Sequence, residues 1–583
     1  MSRGEERGIV TIEGAEDDLP SPPSLGGWLM NLVDAATASH RRAIALLVAL
    51  AVLCFAPGFF SLPPVDRDEA RFAQATKQML EGGDYVDIRF QTEARHKKPV
   101  GIYWLQAGVV SVAEAVGIPE ARTQIWLYRI PSLIGAIGGV LLTYWTALAF
   151  VSRRWAVVAA AMLASCVLLG VEARLAKTDA MLFLTIMAAQ GALAHAFCRR
   201  VAWSGRERWL IPATFWTALA AGVLLKGPII LMVVGLTVLG TGLITKSWRW
   251  LGALRPAFGL PWALLLILPW FVAITLKTQG AFFGEAVGHD MLGKIAAGQE
   301  KHWGPPGFYL VAFWVTFWPA APMVLFAAPA TWRDRFDPKV MFLLAWVVPA
   351  WLIFEMVPTK LPHYVLPLFP ALAILAVRAL ERGAVEPAAR WWTRGAEWWW
   401  AAIGLLLPAL ALIGLLLFHR GAGFLAWPFM FAAGFLGFKA VETLRVEGPE
   451  RGFMVSILAA VAVYVAVLQV LIPATRTYFP AAALVAAANG AGCPDPKIAS
   501  ASYREPSLVF LGGTDVELTD ASGAARFLRE GDCRVAFVDR RHERAFALEA
   551  EALGLRYRLL TVVKAANYNG GRRLNLAVFV NTP

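Results

Sequence analysis

Apolar stretches of about 18 to 22 residues recur along this chain from residue 43 to residue 472, and a segment of that length is suited to crossing a bilayer as a helix. Lipid offers the backbone no hydrogen-bond partners, so each span must satisfy its own N–H and C=O groups, and a series of such segments dictates an α-helical, polytopic membrane protein. The composition agrees, with 58% hydrophobic residues, 24 Trp and only 16% charged residues in a chain of 583. Hydropathy sets about thirteen spans, near 43–60, 129–150, 155–170, 180–197, 209–224, 227–245, 260–276, 308–328, 340–357, 361–380, 399–418, 423–440 and 452–472. The net charge of +12 does not point to nucleic acid, because the basic residues are scattered between apolar segments rather than gathered on one face.

Those basic residues orient the chain instead. Arg41 with Arg42, Arg153 with Arg154, the group Arg199 to Arg208, Lys246 with Arg249, Arg333 with Arg335, Arg378 with Arg382, and Arg445 with Arg451 all fall on one side of the thirteen-span count, which the positive-inside rule makes cytoplasmic. Residues 1–40 read as a disordered cytoplasmic tail; Met1–Pro23 is acidic and lacks the basic start of a cleaved signal. Residues 41–475 form the transmembrane domain. The opposite side receives the loop 61–128, the loop 171–179, the segment 277–307, the turn 359–363 and a domain spanning 476–583.

That last domain has strand-like runs at 507–511, 535–538 and 574–580, with helical stretches near 477–488, 520–530 and 541–553, which predicts a small soluble α/β fold. It holds Cys493 and Cys533, either a disulfide in an extracytoplasmic domain or two buried thiols. Cys54, Cys166 and Cys198 read as small core residues of the spans. The charged Asp539-Arg540-Arg541-His542 reads as a solvated turn, and 567–573 as a Gly-rich hairpin connection.

The chemistry concentrates after the first span. Asp66-x-x-Glu69 matches a capping box, so a surface helix is expected from Asp66 to about Leu80, closed by Gly82-Gly83. Asp66 and Glu69 suit the positive helix end. Asp68 and Arg71, three residues apart, share one face and pair a carboxylate with a phosphate-binding base. Arg95-His96-Lys97-Lys98-Pro99 follows, ahead of a second surface helix with an aromatic face at 100–106. A basic run at an interface by itself implies no more than attraction to anionic lipid headgroups.

The pattern as a whole resembles the polyprenyl-phosphate-dependent GT-C glycosyltransferases, which include the bacterial lipid A aminoarabinose transferases and the dolichyl-phosphate-mannose protein mannosyltransferases, with the lipid A branch the nearer. The resemblance rests on Asp68-Glu69-Ala70-Arg71-Phe72-Ala73, Lys98-Pro99 with Trp104-Leu105-Gln106, Ala176-Lys177-Thr178-Asp179, Lys226-Gly227-Pro228 and the proline-spaced run Thr359-Lys360-Leu361-Pro362-His363-Tyr364 to Pro370. Tyr503-Arg504-Glu505-Pro506-Ser507-Leu508 resembles that branch's post-membrane domain.

The resemblance implies a GT-C helical bundle with an outward-facing cavity, an undecaprenyl-phosphate sugar donor, and lipid A or lipopolysaccharide core as acceptor, in the inner membrane of a bacterium. It implies Asp68 and Asp179 as the catalytic acids and Arg71, Lys98, Lys360 and Tyr364 as donor-phosphate ligands, with Glu69, Lys97 and His289 as secondary candidates. The aminoarabinose transferases carry a metal-holding acid before the Lys-Pro pair; Lys97 stands there in this chain. Either no cofactor is required, or a divalent ion is held by Glu285, His289 and Asp290, whose oxygen and imidazole donors suit several metals. The extra bases Arg95, His96 and Lys97 favour an anionic sugar. A transporter would show repeated halves and mid-span ionisable groups, neither of which is present; a protein O-mannosyltransferase would share the fold and donor type.

Overall fold

A computed structural model of the protein describes residues 24–582 except 200–202, 287, 289–302, 386, 388–390, 419–422 and 568–571. Eleven helices open the chain: α1 (Leu25–Ala36), α2 (His40–Phe55), α3 (Asp68–Gly82), α4 (Gly101–Ala115), α5 (Ile125–Ala147), α6 (Arg153–Ala164), α7 (Val167–Glu172), α8 (Asp179–Cys198), α9 (Glu207–Lys226), α10 (Ile229–Thr245) and α11 (Pro256–Thr278). Among the described residues nine helices are long and apolar enough to cross a membrane, the first Ile125–Ala147 and the last Pro449–Ala474. The other hydropathy segments meet helices that are short or broken: α2, the pair α6 and α7, α10, and the pair Phe308–Thr316 and Ala321–Arg333. Thirteen apolar segments are therefore present, but the count of thirteen crossings is not reproduced by helix length.

The expected tail of residues 1–40 needs correction at its end. Leu25–Ala36 is a helix capped by Ser24, whose hydroxyl accepts from the Gly27 N–H at 3.0 Å and donates to Glu447 at 2.5 Å. Residues 1–23 lie outside the described residues.

The capping box is also corrected. Helix α3 starts at Asp68, and its N-cap is Arg67, which makes no side-chain cap hydrogen bond. Tertiary partners have taken both acids. Asp66 accepts from the α/β domain, and Glu69 forms a buried pair with Arg129, Nε–Oε1 2.8 Å and Nη2–Oε2 2.9 Å, while accepting from the Val65 and Ala176 N–H groups at 2.8 and 2.9 Å. The helix ends as its sequence indicates, with Gly83 in the left-handed region at φ 67°. Gly101 opens α4 at a close approach to α9, where a Cβ would stand 2.7 Å from the Leu224 carbonyl oxygen. That approach brings Lys98-Pro99 alongside the α9 end that carries Lys226.

The C-terminal domain is a five-stranded sheet of order β4-β3-β5-β7-β6, with β3 (Lys497–Ser500), β4 (Glu517–Leu518), β5 (Arg534–Asp539), β6 (Tyr557–Asn567) and β7 (Arg572–Asn581); the hairpin of the first loop supplies β1 (Arg89–Phe90) and β2 (Glu93–Ala94). β3 pairs in parallel with β4 and β5, and β7 pairs antiparallel with β5 and β6. Strand alternation sends Val535 and Phe537 to one apolar layer and Ala536 and Val538 to the other, so both faces are covered. The run Ser507–Leu511, expected as a strand, is instead inside the helix Pro506–Gly512. Proline at the first turn favours a helix start, and a five-residue apolar run does not distinguish the two states by period. β6 and β7 flank the expected hairpin connection with Asn567 opposite Arg572, and Arg540–His542 is an exposed turn.

Cys493 and Cys533 form a disulfide across 40 residues. Closing a loop of that size is expected to stabilise the domain by about 4 kcal/mol. Reduction, or Cys533→Ser, should lower its unfolding midpoint, and unreduced protein should leave both thiols unalkylated by mass spectrometry.

Candidate active site

A cavity of about 520 Å³ opens where α3, the start of α4, the start of α8, the α9–α10 junction and the turn 359–367 converge. Its lining combines apolar side chains, Phe271, Phe282, Phe283, Phe354, Met232 and Ile353, with charged ones. Asp68, Arg71, Lys98, Asp179 and Tyr364, which lie on separated parts of the sequence, all line it, as do Lys97 and Arg95.

Each arrives for a local reason. Asp68 and Arg71 are one turn apart on α3 and face the same way. Lys97 and Lys98 lie in the turn that leads through Pro99 into α4. Asp179 begins α8, and Lys226 ends α9 just before Gly227, whose φ of 69° reverses the chain. Arg95 lies 5.0 Å over the Phe72 ring and donates to the Tyr103 hydroxyl at 3.3 Å.

The sequence had not singled out four further groups. Lys177 sits 2.9 Å from Glu172 and 3.5 Å from Asp179, Lys226 is bonded to Asp179, and His363 stands 3.7 Å from Glu172 and 3.4 Å from Asp179. Burial opposes the charge on Lys177, but the Glu172 and Asp179 carboxylates outweigh it and raise its pKa above the ordinary lysine value. The signal was present in the strings Ala176-Lys177-Thr178-Asp179, Lys226-Gly227-Pro228 and Thr359 to Tyr364, where charges interrupt apolar spans.

Three expected ligands are placed elsewhere. Lys360 does not line the cavity: its ammonium donates to the Phe354 and Glu355 carbonyls at 2.9 and 2.5 Å, fixing the turn. Glu69 faces Arg129. Glu285 lies 3.7 Å from His96, whose other nitrogen is 2.8 Å from Asp87, so His96 turns away from the cavity. His289 and Asp290 lie outside the described residues.

Among the described residues, the group with metal-ligand spacing is Glu172, Asp179 and His363, donor atoms within 4.8 Å of one another. The ammonium groups of Lys177 and Lys226 sit on the same carboxylate oxygens and already balance the two negative charges, and the position before Lys98 carries Lys97. Those ammonium groups occupy carboxylate oxygens that a divalent ion would need, while Glu172 Oε2 is buried without a hydrogen-bond partner. The described lining carries Arg71, Arg95, Lys97, Lys98, Lys177 and Lys226 against Asp68 and Asp179, a balance suited to a phosphate beside an apolar phase.

No family model matches the chain. The undecaprenyl phosphate-α-4-amino-4-deoxy-L-arabinose arabinosyl transferase of Pseudomonas aeruginosa strain LESB58 is 29% identical over 343 residues, 56% of this chain and 59% of that protein. The protein of the same name from Erwinia tasmaniensis is 26% identical over 313 residues, 53% of this chain and 54% of its own length. The matched region thus spans between half and two thirds of these curated relatives. The crystal structure of ArnT from Cupriavidus metallidurans bound to undecaprenyl phosphate superposes with a TM-score of 0.72 at 18% identity, covering 93% of this chain and 98% of that one. Sequence and fold agree on one resemblance: this is a multi-pass membrane chain with the GT-C fold of the aminoarabinose transferases.

Proposed function

We propose that the protein transfers a sugar from an undecaprenyl-phosphate-linked donor to lipid A or lipopolysaccharide core. The observation that carries this reading is the cavity itself, whose lining brings Arg71, Lys98, Asp68 and Asp179 together with apolar side chains able to take a prenyl chain. The acceptor oxygen attacks the anomeric carbon and the bond from that carbon to the phosphate oxygen breaks. The polyprenyl phosphate leaves carrying the negative charge, which Arg71 and Lys98, with the Tyr364 hydroxyl, stabilise as it develops. Asp68 takes the proton of a hydroxyl acceptor; a phosphate acceptor brings none, and Asp68 then orients the neighbouring bases. Lys177 and Lys226 pair with Asp179 in the same cavity.

In this reading the protein lies in a bacterial inner membrane with its N-terminus cytoplasmic. The first loop, 61–128, and the domain 476–583 face the periplasm, and the Cys493–Cys533 disulfide supports that side, since disulfides persist in oxidising compartments. Arg95 and Lys97, at the cavity wall, support an anionic sugar.

Deleting the gene and comparing mass spectra of purified lipid A and core oligosaccharide tests the proposal. A missing glycosyl mass, restored by the wild-type gene and not by Asp68→Asn, is the expected result, with a hexuronic rather than a neutral or amino sugar mass. Unchanged lipid A and core would overturn it.

A further inference from the structure

Helix α3 presents two faces. Asp68, Arg71 and Phe72 line the cavity, whereas Gln74 and Lys77 lie on the side turned to the α/β domain. There Gln74 donates to the Thr514 hydroxyl at 2.7 Å, and Lys77 donates to the Phe510 carbonyl at 3.0 Å. Gln91, in the turn between β1 and β2, donates to the Thr514 and Val516 carbonyls at 3.1 and 2.6 Å. Two residues before the helix, the buried Asp66 carboxylate accepts from the Tyr503 hydroxyl at 2.7 Å and from the Ser507 N–H at 3.0 Å.

Between Asp66 and Asp68 stands Arg67, with φ 69° and ψ −108°. A side-chain-bearing residue rarely adopts that backbone, and it persists only where its surroundings determine it. Here both sides of the turn are pinned, Asp66 to the α/β domain and Glu69 to Arg129 and the Ala176 N–H. If Asp66 is released, Arg67 can relax to negative φ, and the first turn of α3 rotates with it.

We infer that the C-terminal α/β domain is a positioning element of the active site: its hydrogen bonds from Tyr503 and Ser507 to Asp66 hold the strained turn at Arg67 and thereby set Asp68 and Arg71 in the cavity. The inference rests on the roles proposed above for those two residues. Asp66 and Tyr503 touch no reacting atom in this account; they act through Asp68 and Arg71. The device also explains why an acid just before a helix, in a sequence pattern that reads as a cap, instead faces a domain more than 400 residues away.

Two variants in detergent-purified full-length protein test it. Tyr503→Phe keeps the buried ring and removes one donor, and Asp66→Ala removes both bonds. In each, amide exchange of the peptide spanning 67–72 should rise about tenfold. The kcat for transfer should fall about tenfold or more, because small misplacements of a catalytic group are costly. The KM for the lipid-phosphate donor should change less than kcat does, since of the donor-phosphate groups only Arg71 is on α3 while Lys98 and Tyr364 stand on other elements. Wild-type exchange at 67–72 in Asp66→Ala would overturn the inference, and so would raised exchange with unaltered kcat in Tyr503→Phe. If the wild-type protein transfers no sugar from any polyprenyl-phosphate donor, the proposed function fails, and the exchange measurement still decides whether the domain holds the turn.

Discussion

Asp68→Asn and Lys98→Ala should each abolish the proposed sugar transfer while leaving a folded protein. Both side chains face the cavity instead of the packed core; Asp68 is exposed and Lys98 half-buried. Replacing them therefore creates no void in the packed core, a usual route to large destabilisation. Their cost falls on the reaction. Loss of a positioned base removes about 10²- to 10⁴-fold of rate where the acceptor is a hydroxyl. Loss of a cation where the phosphate charge develops removes about 10²- to 10³-fold. Single-turnover transfer from a labelled lipid-phosphate donor checks both, with thermal unfolding in detergent as the control for folding. Arg540→Ala, in an exposed turn of the α/β domain, should leave the rate within about twofold. Wild-type rates in Lys98→Ala would remove it from the donor phosphate. Loss of folded protein in Asp68→Asn would give Asp68 a structural role at the first turn of α3.

The same contrast between cavity and core explains how far the sequence could be read. The bundle was legible because a span announces itself by length, and Asp68 and Arg71 because they share one helical face; Lys98, Asp179 and Tyr364 came from the family resemblance, and all five line the cavity. Pairing was not legible. Nothing local marks Lys177 and Lys226 as partners of one carboxylate, since they come together only when α8 and α9 pack. Lys360 illustrates the reverse: its motif was conspicuous, yet the turn folds its ammonium onto backbone carbonyls and leaves His363 and Tyr364 at the cavity. The capping box misled for the same reason. Asp66 and Glu69 have the spacing of a cap, but a partner hundreds of residues away and another on α5 offer each carboxylate more than a helix end does. The short strands β3 and β4 were missed because their ladders come from the sheet and not from their own composition, whereas β5 and β7 carried enough apolar residues to be seen.

Arg129→Ala should be the most destabilising single substitution in this region, by about 3–5 kcal/mol, because it leaves the Glu69 carboxylate charged and unpaired in the interior. Both side chains are essentially inaccessible, 0% and 1% exposed. The guanidinium also donates to the Phe59, Leu62 and Pro63 carbonyls at 3.1, 2.8 and 3.0 Å, so its loss strands the turn that connects α2 to α3 as well. Glu69→Ala should cost a comparable amount, since it leaves the charge on Arg129. The double variant should cost clearly less than the sum of the two, as coupled partners do. Thermal unfolding of the three purified variants, with the fraction recovered as monodisperse protein, measures this cycle. A near-additive result, or a Glu69→Ala protein of wild-type stability that has lost only transfer, would return Glu69 to the site as the secondary candidate the sequence made it. The structure predicts the opposite because Glu69 joins α3, α5 and the segment leading into α8 at one buried point, and α3 and α8 are the elements that carry Asp68 and Asp179 into the cavity.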